Sequence, residues 1–314
     1  MTNWKETTIT TLRLFLRPWQ ESDAEDLYCF ASDPLVGPPA GWAPHTDVEN
    51  SRGIIRGILS AEETYAIILR YDMWDAVSGG IIPAGTAVGS VGIMFKGHGS
   101  YPHIRDNEAE IGYWLCRPLW GRGLIPEAVK AIEKRCFTDL DLEQLWCAYY
   151  DGNDQSRRVQ QKCGFVFCGE QRMAPHPLNG ATLIHFSCLR RYDWSLGQRQ
   201  VVTHPMTLQE APFEAFASGR KTVELRLCDP KRQLLRVGDM IEFKIEWTRT
   251  CHLVEVQSIR YFPSFEALYA ELLPTLGAEA LGYRKGEIPH PSDMLHYYSQ
   301  DNINYYGVLA IECR

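Results

Sequence analysis

The chain has 314 residues, of which 45% are hydrophobic and 23% charged, and a formal net charge of −7 at pH 7. That length suits two domains and that composition a soluble globular chain, while the acidic balance excludes coating of nucleic acid by bulk attraction and leaves room only for a local basic groove. Its ten cysteines include no Cys-x-x-Cys pair and no His at ligand spacing, which argues against zinc or a disulfide framework and for a reducing, cytoplasmic compartment.

Met1 to Glu6 lacks the basic start and apolar core of a signal peptide. No apolar run approaches the length of a bilayer, so neither secretion nor membrane insertion is expected. Thr8 to Arg17 alternates as a first strand, and Glu21-Ser22-Asp23 offers capping chemistry to a helix holding Ala24, Leu27, Tyr28 and Phe30. Pro34 to Pro44, dense in Pro and Gly, is a loop, after which Asp47 caps a second helix through Ile54, Ile55 and Ile58. Tyr65 to Arg70 and Thr86 to Phe95 read as strands of a meander, joined by the Gly/Pro-containing stretch 72–85.

Glu110 to Trp114 reads as the next strand; Gly121 and Gly123 then punctuate a short loop, and Pro126 and Glu127 open a helix through Val129, Ile132 and Cys136. The first amides of a helix have no internal partner, and the helix dipole makes that end favourable for phosphate oxygens. Gly121 and Gly123 would let the main chain approach an anion, with Arg117 and Arg122 adding charge from the flanks. On the loop alone, an ordinary strand-to-helix turn is an equal reading. A nucleotide P-loop is excluded because no Gly-Lys-Ser/Thr follows, and a dinucleotide fingerprint because the third glycine is missing.

Leu145 to Tyr150 is a further strand, and Asn153 starts a helix with Ser156, Val159 and Cys163 on one side. Phe165 to Cys168 and Thr182 to Leu189 complete the sheet of a first domain, 1–196; 197–203 is a polar linker, and a second domain covers 204–314. In the second domain Thr222 to Leu227 is a strand on which Glu224 and Arg226 share a face, with Lys221 pointing oppositely at its entrance. Gly238-Asp239 turns into the strand Met240 to Ile245. Such a mixed-charge cluster suits a nucleotide or RNA, Lys and Arg for phosphate and Glu for a base edge; the alternative is a Glu224–Arg226 pair that simply neutralises itself. The two halves carry net charges of −5 and −2, so any RNA contact is local.

Four motifs in order resemble the GNAT N-acetyltransferases, in the branch holding the ribosomal-protein alanine N-acetyltransferases. They are Leu12-Arg13-Leu14-Phe15-Leu16-Arg17-Pro18-Trp19, Ala109 to Leu115, the loop Arg117 to Ile125, and Asn153 to Ser156 with Gly164-Phe165. The resemblance implies an α/β (α+β) fold with a central mixed, mostly antiparallel sheet flanked by helices, and acetyl-CoA as acyl donor without a metal. It further implies a CoA site at Tyr113, Trp114, Leu115, Arg117, Trp120, Gly121, Arg122, Gly123, Leu124, Ile125 and Asn153, with Asn153 bonded to the pantetheine arm. Glu110 is implied as general base acting through water, its plain alternative being an outward-facing strand carboxylate. Ser156 is implied as the acid for the leaving thiolate or else a first-turn helix residue, because the tyrosine that relatives carry one turn later is Gln160 here. Trp42 and His45 are implied as acceptor contacts, against a core-edge indole and a solvated imidazole. This chain departs from the pattern at Ile125-Pro126, which removes one amide donor from the loop.

The run Gly219-Arg220-Lys221-Thr222-Val223-Glu224-Leu225-Arg226, followed by Gly238-Asp239 and Tyr306-Gly307-Val308, resembles the ASCH domain. That implies a small PUA-like β-barrel and an RNA or nucleotide ligand at Lys221, Glu224 and Arg226. The acetylcytidine-hydrolase activity of some relatives is not carried over, since their threonine slot is Glu224. Three functions follow: an N-acetyltransferase for a protein N-terminus or small amine with an appended RNA or nucleotide module, an inactive CoA-binding sensor, or a detoxifying acetyltransferase whose second domain is a spacer.

Overall fold

The computed structural model describes residues 4–176, 180–246 and 250–314. Residues 1–3, part of the stretch read for a signal peptide, lie outside them. The chain divides into two compact units, Met1–Arg70 with Asp75–Arg199, and Tyr71–Trp74 with Gln200–Arg314.

The first unit begins with β1 (Ile9–Thr10), β2 (Leu14–Pro18), α1 (Ala24–Ala31), α2 (Val48–Ile54) and β3 (Thr64–Leu69). Two short strands follow, β4 (Met73–Trp74), which groups with the second unit, and β5 (Ile81–Ile82). Then come β6 (Ala87–Met94), β7 (Glu108–Leu115), α3 (Leu124–Lys134), β8 (Gln144–Tyr150), α4 (Asp154–Lys162), β9 (Val166–His176), β10 (Gly180–Arg190) and α5 (Arg191–Arg199). The main sheet has the order β1-β2-β3-β6-β7-β8-β10-β9 and is antiparallel except at β7 and β8. Tyr65 to Leu69 of β3 are all buried, the unbroken apolar run of a strand covered on both faces. The α3 helix buries Leu124, Ile125, Ala128, Val129 and Ile132, the larger of them contributing ~1.5–3 kcal/mol each.

One irregularity of this sheet positions the site. β7 pairs with β6 from Glu110 through to Leu115, but its parallel pairing with β8 ends at Glu110↔Trp146. Beyond that pair the two strands part, and Ile111 to Leu115 run along an open seam.

The expected first strand is broken at Thr11. Its hydroxyl accepts from the Leu14 amide at 3.0 Å and donates to Glu127 Oε1 at 2.5 Å, so local side-chain bonding replaces the ladder. Asp47 caps α2 as its sequence suggests, accepting from the Asn50 amide, and the helix runs on into a wider π turn at Ile55–Leu59. Asp23 does not cap α1 itself; its carboxylate accepts from the Gln20 amide at 2.9 Å, closing a capping box on the 3-10 turn Glu21–Asp23 ahead of the helix, and is held by both guanidinium nitrogens of Arg17.

The second unit contains β11 (Thr203–Leu208), α6 (Glu210–Ala217), β12 (Val223–Leu227), β13 (Met240–Ile245), β14 (Cys251–Phe262), α7 (Phe265–Leu276), α8 (Gln300–Tyr306) and β15 (Val308–Cys313). Its sheet has the order β11-β13-β14-β15-β12, with β11 and β13 parallel, and curls into a half-barrel. Val223, Leu225 and Leu227 of β12 bury with Phe265, Leu268 and Leu272 of α7 in one core.

Six cysteines (116, 136, 147, 163, 228 and 313) are buried, 168 and 188 are half-buried, and 29 and 251 are exposed. Burial pushes the Cys116, Cys136, Cys147 and Cys163 thiols well up and Cys313 up to about 12, as small hydrophobes rather than thiolates. Among the described residues no helix is long and apolar enough to cross a membrane.

Candidate functional site

A cavity of ≈1960 Å³ opens along the seam of the first unit. Successive strand residues face opposite ways, so β7 presents Glu110, Gly112 and Trp114 to one side and Tyr113 and Leu115 to the other.

On the first side Glu110 is 2% exposed, and its Oε2 accepts from the Tyr101 amide at 2.7 Å. It is not an outward-facing strand carboxylate. Trp114 meets Trp42 edge-on at 5.7 Å between centroids, and Trp42 lies 5.4 Å from His45. His45 is half-buried with Nδ1 2.8 Å from Ser51 Oγ, and burial lowers its pKa, so it is not a solvated imidazole. Trp42 and His45 both line the cavity beside Glu110.

On the other side the Tyr113 hydroxyl lies 3.0 Å from Ser156 Oγ, and the Gln160 amide donates to the same Oγ at 3.4 Å and to Ala148 O at 3.1 Å. Burial, first among the causes, holds the phenol well above its ordinary range. Asn153 caps α4 by accepting from the Ser156 amide at 3.0 Å and donates to Pro39 O at 2.8 Å. Most of its side-chain bonding is therefore committed locally, leaving Oδ1 one lone pair for an added donor.

The α3 N-terminus closes one end. Gly121 and Gly123 have φ of 79° and 75°, a region where a Cβ is disfavoured, and Gly123 caps the helix without a side chain. Among the described residues the amides of Gly121, Gly123, Leu124 and Ile125 have no hydrogen-bond acceptor; Pro126 has no N–H, and Glu127 donates to Gly123 O at 3.2 Å. The loop is held from behind. Arg13 Nη1 donates to Arg122 O at 2.8 Å, while Glu127 accepts from the Arg13 amide at 2.6 Å and from its Nε at 2.7 Å.

Two expected flanking charges are elsewhere. The Arg122 side chain is fully buried and donates to Pro118 O at 3.2 Å; Arg117 is tied to Asp33 at 2.7 Å. Neither lines the cavity: the Pro118 carbonyl holds the Arg122 guanidinium inside, and Asp33 holds that of the half-exposed Arg117. The cations on the wall are Lys96, which pairs with Asp106 at 2.8 Å, and Arg158 and Lys162 of α4; the sequence reading missed all three, although the four-residue spacing of the last two places them on one helix face.

In the second unit Lys221 Nζ and Arg226 Nε approach Glu224 at 2.9 and 2.8 Å, and Arg226 Nη2 also donates to Thr207 O at 2.8 Å. Lys221 does not point oppositely, because it precedes β12 and its long arm folds back onto the carboxylate. The ion contacts are short but poorly aligned as hydrogen bonds, so charge rather than direction holds them. Lys221 and Glu224 are buried, with Lys221 Nζ 5.2 Å above the Phe216 ring.

A family model described as an acetyltransferase (GNAT) domain matches residues 13–166, and one described as an ASCH domain matches 206–314. The chain joins a GNAT domain to an ASCH domain. It is 32% identical over 91 residues to the Bacillus subtilis (strain 168) protein YdaF, provisionally named a ribosomal N-acetyltransferase, covering 28% of this chain and 49% of that protein. The match thus spans about half of that relative's length. It is 29% identical over 163 residues to the N-acetyltransferase p20 of Bacillus licheniformis, covering 50% of this chain and 82% of p20. Among solved structures, Mycobacterium smegmatis RimJ in complex with CoA-disulfide aligns at 19% identity and TM-score 0.46 over 63% of this chain and 98% of its own. A GNAT-family acetyltransferase from Bacillus anthracis aligns at 20% identity and TM-score 0.45 over 59% and 99%.

The GNAT domain brings Glu110, Trp42, His45, Tyr113, Trp114, Leu115, Trp120, Gly121, Gly123, Leu124, Ile125, Asn153 and Ser156 to one cavity. It keeps the side chains of Arg117 and Arg122 off its wall. Sequence reasoning did not foresee that Tyr113 would meet Ser156, a contact between residues 43 positions apart.

Proposed function

We propose that the GNAT domain is an acetyl-CoA-dependent N-acetyltransferase acting on a primary amine. The observation that carries this is a row of unengaged amides at a helix N-terminus on the same cavity as a buried carboxylate, across an opened strand seam. The amides of Gly121, Gly123, Leu124 and Ile125 suit the diphosphate of CoA, with Arg158 and Lys162 adding charge. Ile111 O accepts from Cys147 Sγ and Leu115 O from Trp120 Nε1, both away from β6, so the main chain of Tyr113 between them also faces the seam. That strand edge suits the pantetheine amides and the thioester carbonyl.

An ammonium cannot attack, so the acceptor must first lose a proton; Glu110 takes it, with water as carrier. The amine nitrogen then bonds to the thioester carbonyl carbon, the C–S bond breaks, and the departing thiolate takes a proton from Ser156, whose hydroxyl is supported by Tyr113. Base and acid thus stand on opposite faces of one strand. The proposal extends to the ASCH domain as a nucleotide- or RNA-contacting module. Its support is the family match, and a phosphate there would have to compete with Glu224 for Lys221 and Arg226.

The test is calorimetric titration with acetyl-CoA followed by thiol release against amines and N-terminal peptides. Glu110→Gln should lose at least ~10²-fold in kcat and keep its affinity for CoA. Unchanged turnover removes Glu110 from the mechanism, and no CoA binding removes the transferase reading.

A further inference from the structure

The floor of the acceptor side has a shape that follows from strand register. Residues paired across strands share a face, so the pairs Ser90↔Trp114, Gly92↔Gly112 and Met94↔Glu110 stand beside one another, and Thr64↔Gly92 extends the middle row onto β3. That middle row is Thr64, Gly92 and Gly112: two of its three positions carry no side chain. A Cβ built on Gly112 would meet only the Met94 thioether, its Cε at 3.0 Å; on Gly92 the nearest atoms belong to Thr64, Oγ1 at 3.2 Å and Cγ2 at 3.5 Å. Neither glycine needs a positive φ. Backbone conformation thus does not demand them, and what they leave is a strip of sheet between Trp114 and Glu110 with no side chain of its own at two positions, bordered by the flexible Met94 thioether and by Thr64.

The walls are mostly apolar, with Asn50, Lys96 and His98 among the polar residues that interrupt them. Trp114 and Trp42 stand at one end, Met94 beside Glu110 at the other, and Ile54, Ile58 and Phe95 also line the cavity. Glu110 is the buried carboxylate among the lining residues; Glu62, in the same cavity, is exposed. Two polar atoms near the strip are engaged, His45 Nδ1 with Ser51, and Ser90 Oγ with Trp19 Nε1 at 3.1 Å and Tyr65 O at 3.1 Å.

We infer that this strip is an acceptor slot for a singly charged primary amine on a flat apolar body, the arylalkylamine class. This rests on the acetyltransferase reading above and deepens it. A polycationic amine would leave its further ammonium groups against indole and aliphatic walls with no buried carboxylate to meet them. A peptide terminus would lay backbone amides along a strip of Thr64, Gly92 and Gly112, which offers them no side-chain donor or acceptor beyond the Thr64 hydroxyl. An aromatic ring lies flat on a surface without Cβ atoms, and its CH2–NH3⁺ arm reaches Glu110 from the indole end.

The test uses the full chain saturated with CoA and 2-phenylethylamine as probe, with spermidine and a Phe-initiated tetrapeptide as comparators. Binding is followed by quenching of tryptophan fluorescence, and transfer by thiol release from acetyl-CoA. The expected result is preference for 2-phenylethylamine in both readouts. Gly92→Ala and Gly112→Ala should each weaken its binding by about tenfold, the scale on which one methyl group discriminates in an apolar pocket, with Tm and CoA affinity kept. Preference for spermidine or the peptide overturns the slot, as does unchanged binding in both alanine variants. Binding of 2-phenylethylamine without transfer of acetyl to any amine supports the slot and sinks the transferase reading; transfer to other amines without its binding does the reverse.

Discussion

Replacing Arg13 by lysine isolates how the anion loop is shaped. Arg13 is 2% exposed, and its guanidinium reaches Glu127 through Nε at 2.7 Å and Arg122 O through Nη1 at 2.8 Å. Lysine keeps the charge but has no fork, so it can serve the carboxylate or the carbonyl and not both. The loss is one hydrogen bond to a charged group, ~1.5–3 kcal/mol. At ~2–4 °C per kcal/mol for a unit of this size, Tm should fall by roughly 3–12 °C. The carbonyl bond has a local effect as well. Because the peptide is planar and trans, fixing the Arg122 C=O towards Arg13 sends the Gly123 N–H the opposite way, towards the cavity. Without that anchor, ~1–2 kcal/mol of loop ordering must come from the ligand, and the Kd for CoA should rise about 5–30-fold. Calorimetric titration with CoA beside differential scanning calorimetry reads both effects. Arg135→Lys is the control: it disturbs the buried pair with Glu63, 2.7 Å apart after the far end of α3, and should lower Tm without changing Kd. If Arg13→Lys lowers Tm yet leaves Kd within about twofold, the carbonyl anchor does not shape the loop and the reasoning is refuted.

Tyr113→Phe should cost less than about tenfold in kcat, because a thiolate of pKa ~8.5 leaves without full protonation; a loss far beyond that would make the phenol itself the principal acid. Burial holds His45 below its ordinary ~6.5, so as pH falls the unfolded chain takes the proton first, and stability present above ~6.5 is lost on acidification towards the lower folded value. The wild type should therefore lose more Tm between about pH 7.5 and about pH 5.5 than His45→Gln does, and equal losses would count against the assignment. Glu224→Gln leaves Lys221 and Arg226 facing each other in a buried site, which should cost ~3–5 kcal/mol in urea unfolding of the full chain. A change under about 1 kcal/mol would mean that water reaches the cluster and screens it.

What the sequence revealed was local. The glycines of the anion loop, the Asp47 and Asn153 caps and the apolar face of α3 all depend on neighbours within one or two turns, and each stands where its pattern puts it. What stayed hidden depends on partners far along the chain. Arg122 looks like an exposed phosphate ligand until its guanidinium is seen folded under the loop and its carbonyl held by Arg13, 109 residues away. Strand alternation puts Lys221 on the wrong side because this residue precedes the strand, where the two-residue period does not yet hold. The Gly92–Gly112 strip needs the register of two strands, which neither glycine betrays alone.

The distribution of thiols has a practical consequence. Burial already protects most of them, and the exposed pair falls one to each unit, Cys29 in the first and Cys251 in the second. The natural chain thus carries an outer attachment point on either half for a donor and acceptor dye. Cys29 is held above its ordinary range, first by burial and then by Asp26 and Asp75, so pH can time its reaction with a maleimide. Energy transfer between two such dyes would report the separation of the halves, and how it answers a nucleotide or CoA, on an unaltered polypeptide.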